Sequence, residues 1–439
     1  MAGAATALEQ ADAVRFAAFL HERQYPADCR STVGVLTRTG VRPDGRPYPG
    51  NYFYGLGLGS QMVSLKFNFA RALLQGQVYH FPTSHYVNPL RCPSQSFACY
   101  FEPPTNCTLP TSGPGPAATA ARAASAHGEV QTERLLWCFE LPRRRLTNLA
   151  GLQAVHSQGW YHAQLSAFLF RGNGAMRSYR EAILSRLAFN ASRTRASSAA
   201  GAGGPHNGTC AAMHLRRTDK HKGRRKEDTC ELQTAGGVDN KGFIFFARQF
   251  RTWAYWEAAR PAARLRVFLG SEDKATFAAM PPLLAPALSY WIPGTEFVME
   301  GFKDINNHNE RLKRRYAALV SRMAAARAAG AAAVAAFERE PATLKDEGMA
   351  LVLQILMMGE CDALFGSFAS NVAILVRDLQ HAALLRRGVR PHVVDACGRP
   401  YCGCGASFCM KLEKRAGREP RRTYRNMVDA MHGDNRNAI

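Results

Sequence analysis

Apolar residues recur at helical spacing in several stretches of the chain. Met62, Leu65, Phe69 and Leu73 share one face, and Ser60 stands where a hydroxyl would cap that helix. A short stretch over 77–81 follows and reads as a strand. Trp160, Leu165, Phe168 and Leu169 mark a second amphipathic helix. The stretches 211–215 and 264–269 have the length and apolar content of buried strands. Residues 348–358 read as a buried helix, 363–366 as a short strand, and 368–379 as a helix with Phe368, Val372, Leu375 and Leu379 in register. Strands alternating with helices predict an α/β fold with parallel sheets, in two halves with a cleft between them.

Three biased stretches interrupt this pattern. Residues 111–129 and 192–208 are rich in Pro, Gly, Ala and Ser, lack apolar periodicity and read as surface insertions. Residues 323–337 are nearly all Ala, which favours a helix with little to bury. The expected division is an N-terminal α/β domain over 1–209, a Rossmann-like α/β domain over 210–396 and a Cys- and Arg-rich tail over 397–439.

Composition narrows the function classes. The 439 residues are 46% hydrophobic, which excludes collagen, coiled coil and wholesale disorder and lets the chain fold without a metal. No run approaches the roughly 20 apolar residues of a membrane span, and the first 30 residues do not read as a signal peptide. Lys+Arg 56 against Asp+Glu 34 gives a net charge of +22, so an acidic partner is expected: nucleic acid, anionic membrane or a phosphorylated small molecule. Solvated surface arginines are the plainer account of much of this charge. There are 12 Cys. Cys397, Cys402, Cys404 and Cys409 crowd together, but without the paired short spacings of a structural zinc site, so disulfides are favoured. Sequons at Asn106, Asn190 and Asn207, taken with the cysteines, point to an oxidising secretory lumen.

Three segments carry candidate chemistry. In the first, His214 and Leu215 end a strand and run into Arg216, Arg217, Thr218, Asp219 and Lys220. Cations at the carboxyl end of a parallel strand face the crevice where α/β proteins bind ligands. Arginine's planar fork suits phosphate oxygens. The longer basic run 220–226 is also what a nuclear-targeting or nucleic-acid patch looks like. The second segment is Gly366, Ser367, Phe368, Ala369, Ser370 and Asn371, a strand end followed at once by a helix start. It offers an anion site or an ordinary Ser cap. In the third, Glu272 and Asp273 follow a strand end at Gly270 and Ser271. They would hold a base or ribose, or simply follow a cap at Ser271. No Walker loop, dinucleotide glycine loop or nucleophile elbow is present. Gly55, Gly57 and Gly59 alternate at the wrong spacing.

Together these segments resemble the α-1,6-fucosyltransferase family and its rhizobial chitin-oligosaccharide relatives. Residues 20–29 are similar to the family's Q-x-P-x-D-C opening, 57–61 and 160–171 to two of its helices, and 214–220 to its H-V-R-R-T-D-K motif, with Leu215 the one difference. Residues 269–273 and 361–371 follow in the family's order. The resemblance implies a two-domain GT-B-like fold and metal-independent, inverting transfer of fucose from GDP-fucose to the 6-hydroxyl of the core GlcNAc of N-glycans. No cofactor is implied. Golgi localisation, a glycan or glycoprotein acceptor and no nucleic-acid partner follow, with the family's membrane anchor missing from this chain. Arg216 would hold the β-phosphate and His214 would lie near the guanine. Arg217, Asp219 and Lys220 would shape the reaction centre, Ser367, Ser370 and Asn371 the diphosphate site, and Glu272 and Asp273 the donor pocket. Cys29 would pair with Cys107.

Two departures matter. Arg224 stands where the family has its suspected general base, so Glu227, Asp228 and Glu231 are the nearest carboxylates to take the acceptor's proton, with Glu227 the favoured one. Gln354 stands where the family has an Asp, with Asp346 and Glu347 as substitutes for it. The alternatives are fucosyl transfer to a protein or a chitin-like oligosaccharide, a relative that binds nucleotide sugar without catalysis, and a basic nucleic-acid-binding protein.

Overall fold

The computed structural model describes residues 6–29, 35–36, 57–82, 84–107, 141, 143–186, 210–216, 241–256, 265–292, 305–340, 346–368, 370–395 and 401. Along the chain run α1 (Ala7–Gln24), β1 (Val35–Leu36), α2 (Leu58–Leu74), β2 (Val78–Tyr79), α3 (Arg143–Leu149), α4 (Gln158–Leu169) and α5 (Gly174–Arg186). Then come β3 (Cys210–Leu215), α6 (Lys241–Trp256), β4 (Arg266–Ser271), α7 (Lys274–Leu284) and β5 (Leu288–Tyr290). The last are α8 (Ile305–Ala329), α9 (Ala331–Glu338), α10 (Glu347–Met358), β6 (Ala363–Gly366), α11 (Asn371–Leu385) and β7 (His392–Asp395).

β3, β4 and β6 are apolar on both faces, as strands covered by helices on both sides must be. They form the centre of a five-stranded, all-parallel sheet in the order β5-β4-β3-β6-β7. The α/β class and parallel sheet expected from the sequence are therefore present. Alternation along the strands divides the core. Ala211, Met213, Val267, Leu269 and Phe365 pack with Phe246, Phe250 and Trp253 of α6. Ala212, Phe268 and Leu364 belong to the larger cluster formed with α10, α11, α2, α4 and α1.

Several element boundaries differ from the sequence reading. The expected strand over 77–81 shortens to Val78–Tyr79, which pairs in parallel with β1. The cap of α2 is Gly57, not Ser60, because the helix starts one turn earlier. The final helix begins at Asn371, so Phe368 lies in the loop before it, its amide donating to Asp395 Oδ1 at 2.7 Å. The Ala-rich stretch is helical but broken at Gly330, whose φ of +105° suits glycine and turns α8 into α9. Among the described residues, no helix is long and apolar enough to cross a membrane. The stretches 111–129 and 192–208, and the four tail cysteines, lie outside the described residues.

All six described cysteines are paired, as Cys29–Cys107, Cys92–Cys99 and Cys210–Cys361. The first is the pair implied by the resemblance. The third joins β3 to the residues just before β6, at the opposite end of those strands from Arg216.

Candidate functional site

The chain winds outward in opposite directions from the centre of this sheet. β3 leads through α6 to β4 and then β5 on one side. β6 leads through α11 to β7 on the other. The strand order therefore reverses between β3 and β6, and the crevice beyond their carboxyl ends is where open parallel sheets bind ligands. Arg216 directly follows β3, and Ser367 directly follows β6. Two of the three predicted segments thus meet at the switch point.

Their contact is direct. His214 Nε2 lies 3.0 Å from Ser370 Oγ, and both side chains are buried. Ser370 is the N-cap of α11, yet its hydroxyl makes no capping bond to its own helix. The hydroxyl is committed to β3 instead, so the positive end of α11 has no side-chain cap. An ordinary Ser cap is thereby excluded at Ser370. Burial drives the His214 imidazole down to about 3, and Arg216 pushes it the same way. Beside the neutral ring stands Arg216, a half-buried guanidinium that brings positive charge to the strand tip.

Glycines make the room. Gly270 is the cross-strand partner of His214 on β4, and a Cβ there would sit 2.7 Å from both Gln354 Nε2 and Met358 Sδ. α10 therefore leans into the sheet at this point and brings Gln354 against Gly270, the strand neighbour of His214. Gln354 is buried, and its Oε1 makes no hydrogen bond among the described residues.

A second helix start joins the first. A Cβ on Gly59 would approach Val372 Cγ2 to 3.0 Å and Val372 N to 3.3 Å, so the first turns of α2 and α11 touch. Asn371 Nδ2 donates to Ser60 Oγ across this contact. Gly57, the cap of α2, has no side chain to offer. Tyr86 closes the arrangement from the side. Its phenol is buried and raised by that burial, while a hydrogen bond from the Leu58 backbone and the Arg216 charge pull the other way. Tyr86, Gly59 and Ser60 are members of the site that sequence reasoning did not assign. The tight spacing of Gly57 and Gly59 before an amphipathic helix was the signal available.

The third segment takes a more structural part. Ser271 Oγ donates to Leu215 O at 2.6 Å, tying β4 to β3. The helix cap is Asp273 rather than Ser271, and its carboxylate accepts from Ala275 N at 3.0 Å. Glu272 is half-buried at the carboxyl end of β4, beside the same crevice. Asp346 and Glu347, the substitutes weighed for Gln354, are occupied elsewhere. Asp346 caps α10 and accepts from Tyr100 Oη at 2.7 Å, and burial raises its carboxyl above the usual range. Glu347 accepts from Arg315 Nη1 at 2.6 Å. Arg217, Asp219, Lys220, Arg224 and Glu227 lie outside the described residues. The site therefore joins His214, Arg216, Ser370 and Asn371, with Ser367 buried in the connecting loop and Gln354 against Gly270.

No family model matches this sequence, and no curated protein matches it. Among solved structures, the chain is similar to the fucosyltransferase NodZ from Bradyrhizobium, at 12% identity over 73% of this chain and 89% of that one, with a TM-score of 0.32. It is similar to NodZ α-1,6-fucosyltransferase co-crystallized with GDP at 13% identity, over 73% and 88% of the two chains, with a TM-score of 0.32. For a Se-Met form of NodZ from Bradyrhizobium the figures are 13% identity, 77% and 91%, and 0.35. A likeness this distant assigns neither a family nor an activity.

Proposed function

We propose that this protein is an inverting glycosyltransferase that moves fucose from GDP-fucose to a glycan hydroxyl. The observation that carries the reading is the bond from His214 to Ser370, which sets Arg216 and an uncapped helix start side by side at the switch point. A nucleoside diphosphate leaving group develops charge as its bond to the sugar breaks, and a guanidinium together with helix N–H groups stabilises that charge. Fucose and guanine enter through the motif resemblance, which runs through His214, Arg216, Glu272, Ser367 and Asn371 in family order.

In this reading Arg216 holds the β-phosphate, and Ser370 and Asn371 present the start of α11 to the diphosphate. Gln354 Oε1 supplies an acceptor for the base, beside neutral His214. Glu272 and Asp273 line the rim. Arg217, Asp219 and Lys220 shape the reaction centre, and Glu227 takes the acceptor's proton. Residues 1–209 form the acceptor side, 210–396 the nucleotide-sugar side and 397–439 a tail, in a GT-B-like arrangement acting in the Golgi lumen. The acceptor is the 6-hydroxyl of the core GlcNAc of N-glycans, with no metal required.

The test is incubation of the full chain with GDP-fucose and N-glycans in the presence of EDTA, followed by mass and linkage analysis of the product. Fucosylated core GlcNAc is the expected result. A product on chitin oligosaccharides or protein alone would keep the donor and change the acceptor. The absence of any transfer, joined with tight salt-sensitive binding to nucleic acid, would replace the reading altogether.

A further inference from the structure

Of the three sequons, only the asparagine of Asn106-Cys107-Thr108 lies among the described residues. Asn106 is exposed in a loop outside any helix or strand; its Nδ2 donates to Pro26 O across a long 3.4 Å, and its Oδ1 lies 3.8 Å from Cys107 Sγ. Its neighbours differ sharply. Thr105 and Cys107 are buried, and Cys107 is bonded to Cys29, 78 residues earlier in the chain. The middle residue of this sequon is thus a disulfide cysteine.

We propose that Asn106 is an N-glycosylation site, and that its glycan is attached before the Cys29–Cys107 disulfide closes. The inference rests on the luminal part of the reading above. In the transfer, Asn106 Nδ2 forms a bond to C1 of the first sugar of a lipid-linked oligosaccharide diphosphate. The bond from C1 to the diphosphate oxygen breaks, the lipid diphosphate leaves, and the amide gives up one proton. A transferase must grip the asparagine and the Thr108 side chain together on a segment it can extend. Once Cys107 is tied to Cys29, with its amide donating to Thr105 Oγ1 at 3.2 Å, residues 105–107 are held in the folded loop, while Asn106 itself stays exposed. The finished glycan is accommodated after folding, but its attachment belongs to the open chain. Closure of the disulfide therefore limits occupancy.

The full chain, carrying Asn190→Gln and Asn207→Gln, is to be expressed behind a cleavable secretion signal and followed by pulse labelling with glycosidase treatment. One glycosidase-sensitive species is expected, lost with Asn106→Gln and with Thr108→Ala. Cys29→Ser, which keeps Cys107 from its partner, is expected to raise the occupied fraction or leave it complete. Because newly made chains are scored, a folding defect in a variant does not obscure the result. In the parent chain, with all three sequons intact, an unmodified Asn106 beside a glycosylated Asn190 or Asn207 would overturn the site. Lower occupancy in Cys29→Ser would overturn the order of events. Absence of any glycan on the chain expressed without the added signal would count against the luminal reading alone.

Discussion

At the scale of single residues, Arg216 carries the largest expectation. Its guanidinium is half-buried and holds no part of the apolar core, so Arg216→Ala should fold with a melting temperature near that of the parent. Loss of charge-assisted bonds to a phosphate costs about 2–2.7 kcal/mol, so GDP affinity should fall roughly 30- to 100-fold by calorimetry. Arg216→Lys should recover only part of this, because an ammonium lacks the fork. An unchanged affinity in Arg216→Ala would remove this residue from the site. His214 gives a pH expectation. Its folded pKa of about 3 lies below the ordinary 6.5. Its neutral state therefore contributes stability in full above pH 6.5, and that contribution is lost as the pH falls toward 3. The buried His162 and His381 are held low by burial too, so they add to the same loss. Urea midpoints should decline across this window, and His214→Gln should flatten part of the decline. A midpoint independent of pH from 6.5 to 4 would contradict the burial of these rings.

Among elements, the contact between α2 and α11 decides whether two helix starts can serve one ligand. Gly59→Ala would place a methyl 3.0 Å from Val372 Cγ2 and 3.3 Å from Val372 N. Because the backbone of Val372 cannot rotate away, overpacking of about 1–3 kcal/mol is expected, along with weaker GDP binding. Thermal melts and calorimetry on the same variant would show both losses; a variant with parental stability would show that the helices do not touch there. Farther along the same two helices, Lys66 Nζ donates to Asp378 Oδ2 at 2.6 Å with both side chains fully buried. Ser166 Oγ of α4 and Tyr401 Oη donate to the same carboxylate. Removing one partner alone, as in Asp378→Leu, should cost about 3–5 kcal/mol, and Lys66→Met/Asp378→Leu should cost clearly less. Equal losses in the single and double variants, measured by urea denaturation, would show that the ion pair itself is not what joins the helices.

The elements that the sequence made legible were those whose packing is repeated locally. β3, β4, β6, α2, α4, α10 and α11 carry apolar residues at the spacing of their final structure, and the His214-to-Lys220 segment announced a strand tip with cations. Boundaries were less legible, because they turn on distant partners. Ser60 looked like a cap, but its hydroxyl receives Asn371 Nδ2 from 311 residues away. Phe368 kept helical register by spacing while Asp395 drew its amide into the loop. α6 went unread although Phe243, Phe246, Phe250 and Trp253 mark its buried face, because a stretch so rich in aromatic residues fits strand and helix equally well. Tyr86 could not be assigned at all, since nothing local connects it with Leu58 or Arg216.

At the scale of the whole molecule, the strand order β5-β4-β3-β6-β7 fixes one crevice, and the segments that follow β3 and β6 both open into it. The excess positive charge of +22 supplies a background that favours anionic ligands in general. The most direct measurement is a calorimetric titration of GDP into the parent chain and into Arg216→Ala, at fixed salt and with EDTA present. Saturable binding of one GDP per chain, weakened roughly 30- to 100-fold by the substitution, is the result predicted here. Failure of the parent to bind GDP, or equal affinity in both proteins, would contradict a diphosphate site at the tip of β3.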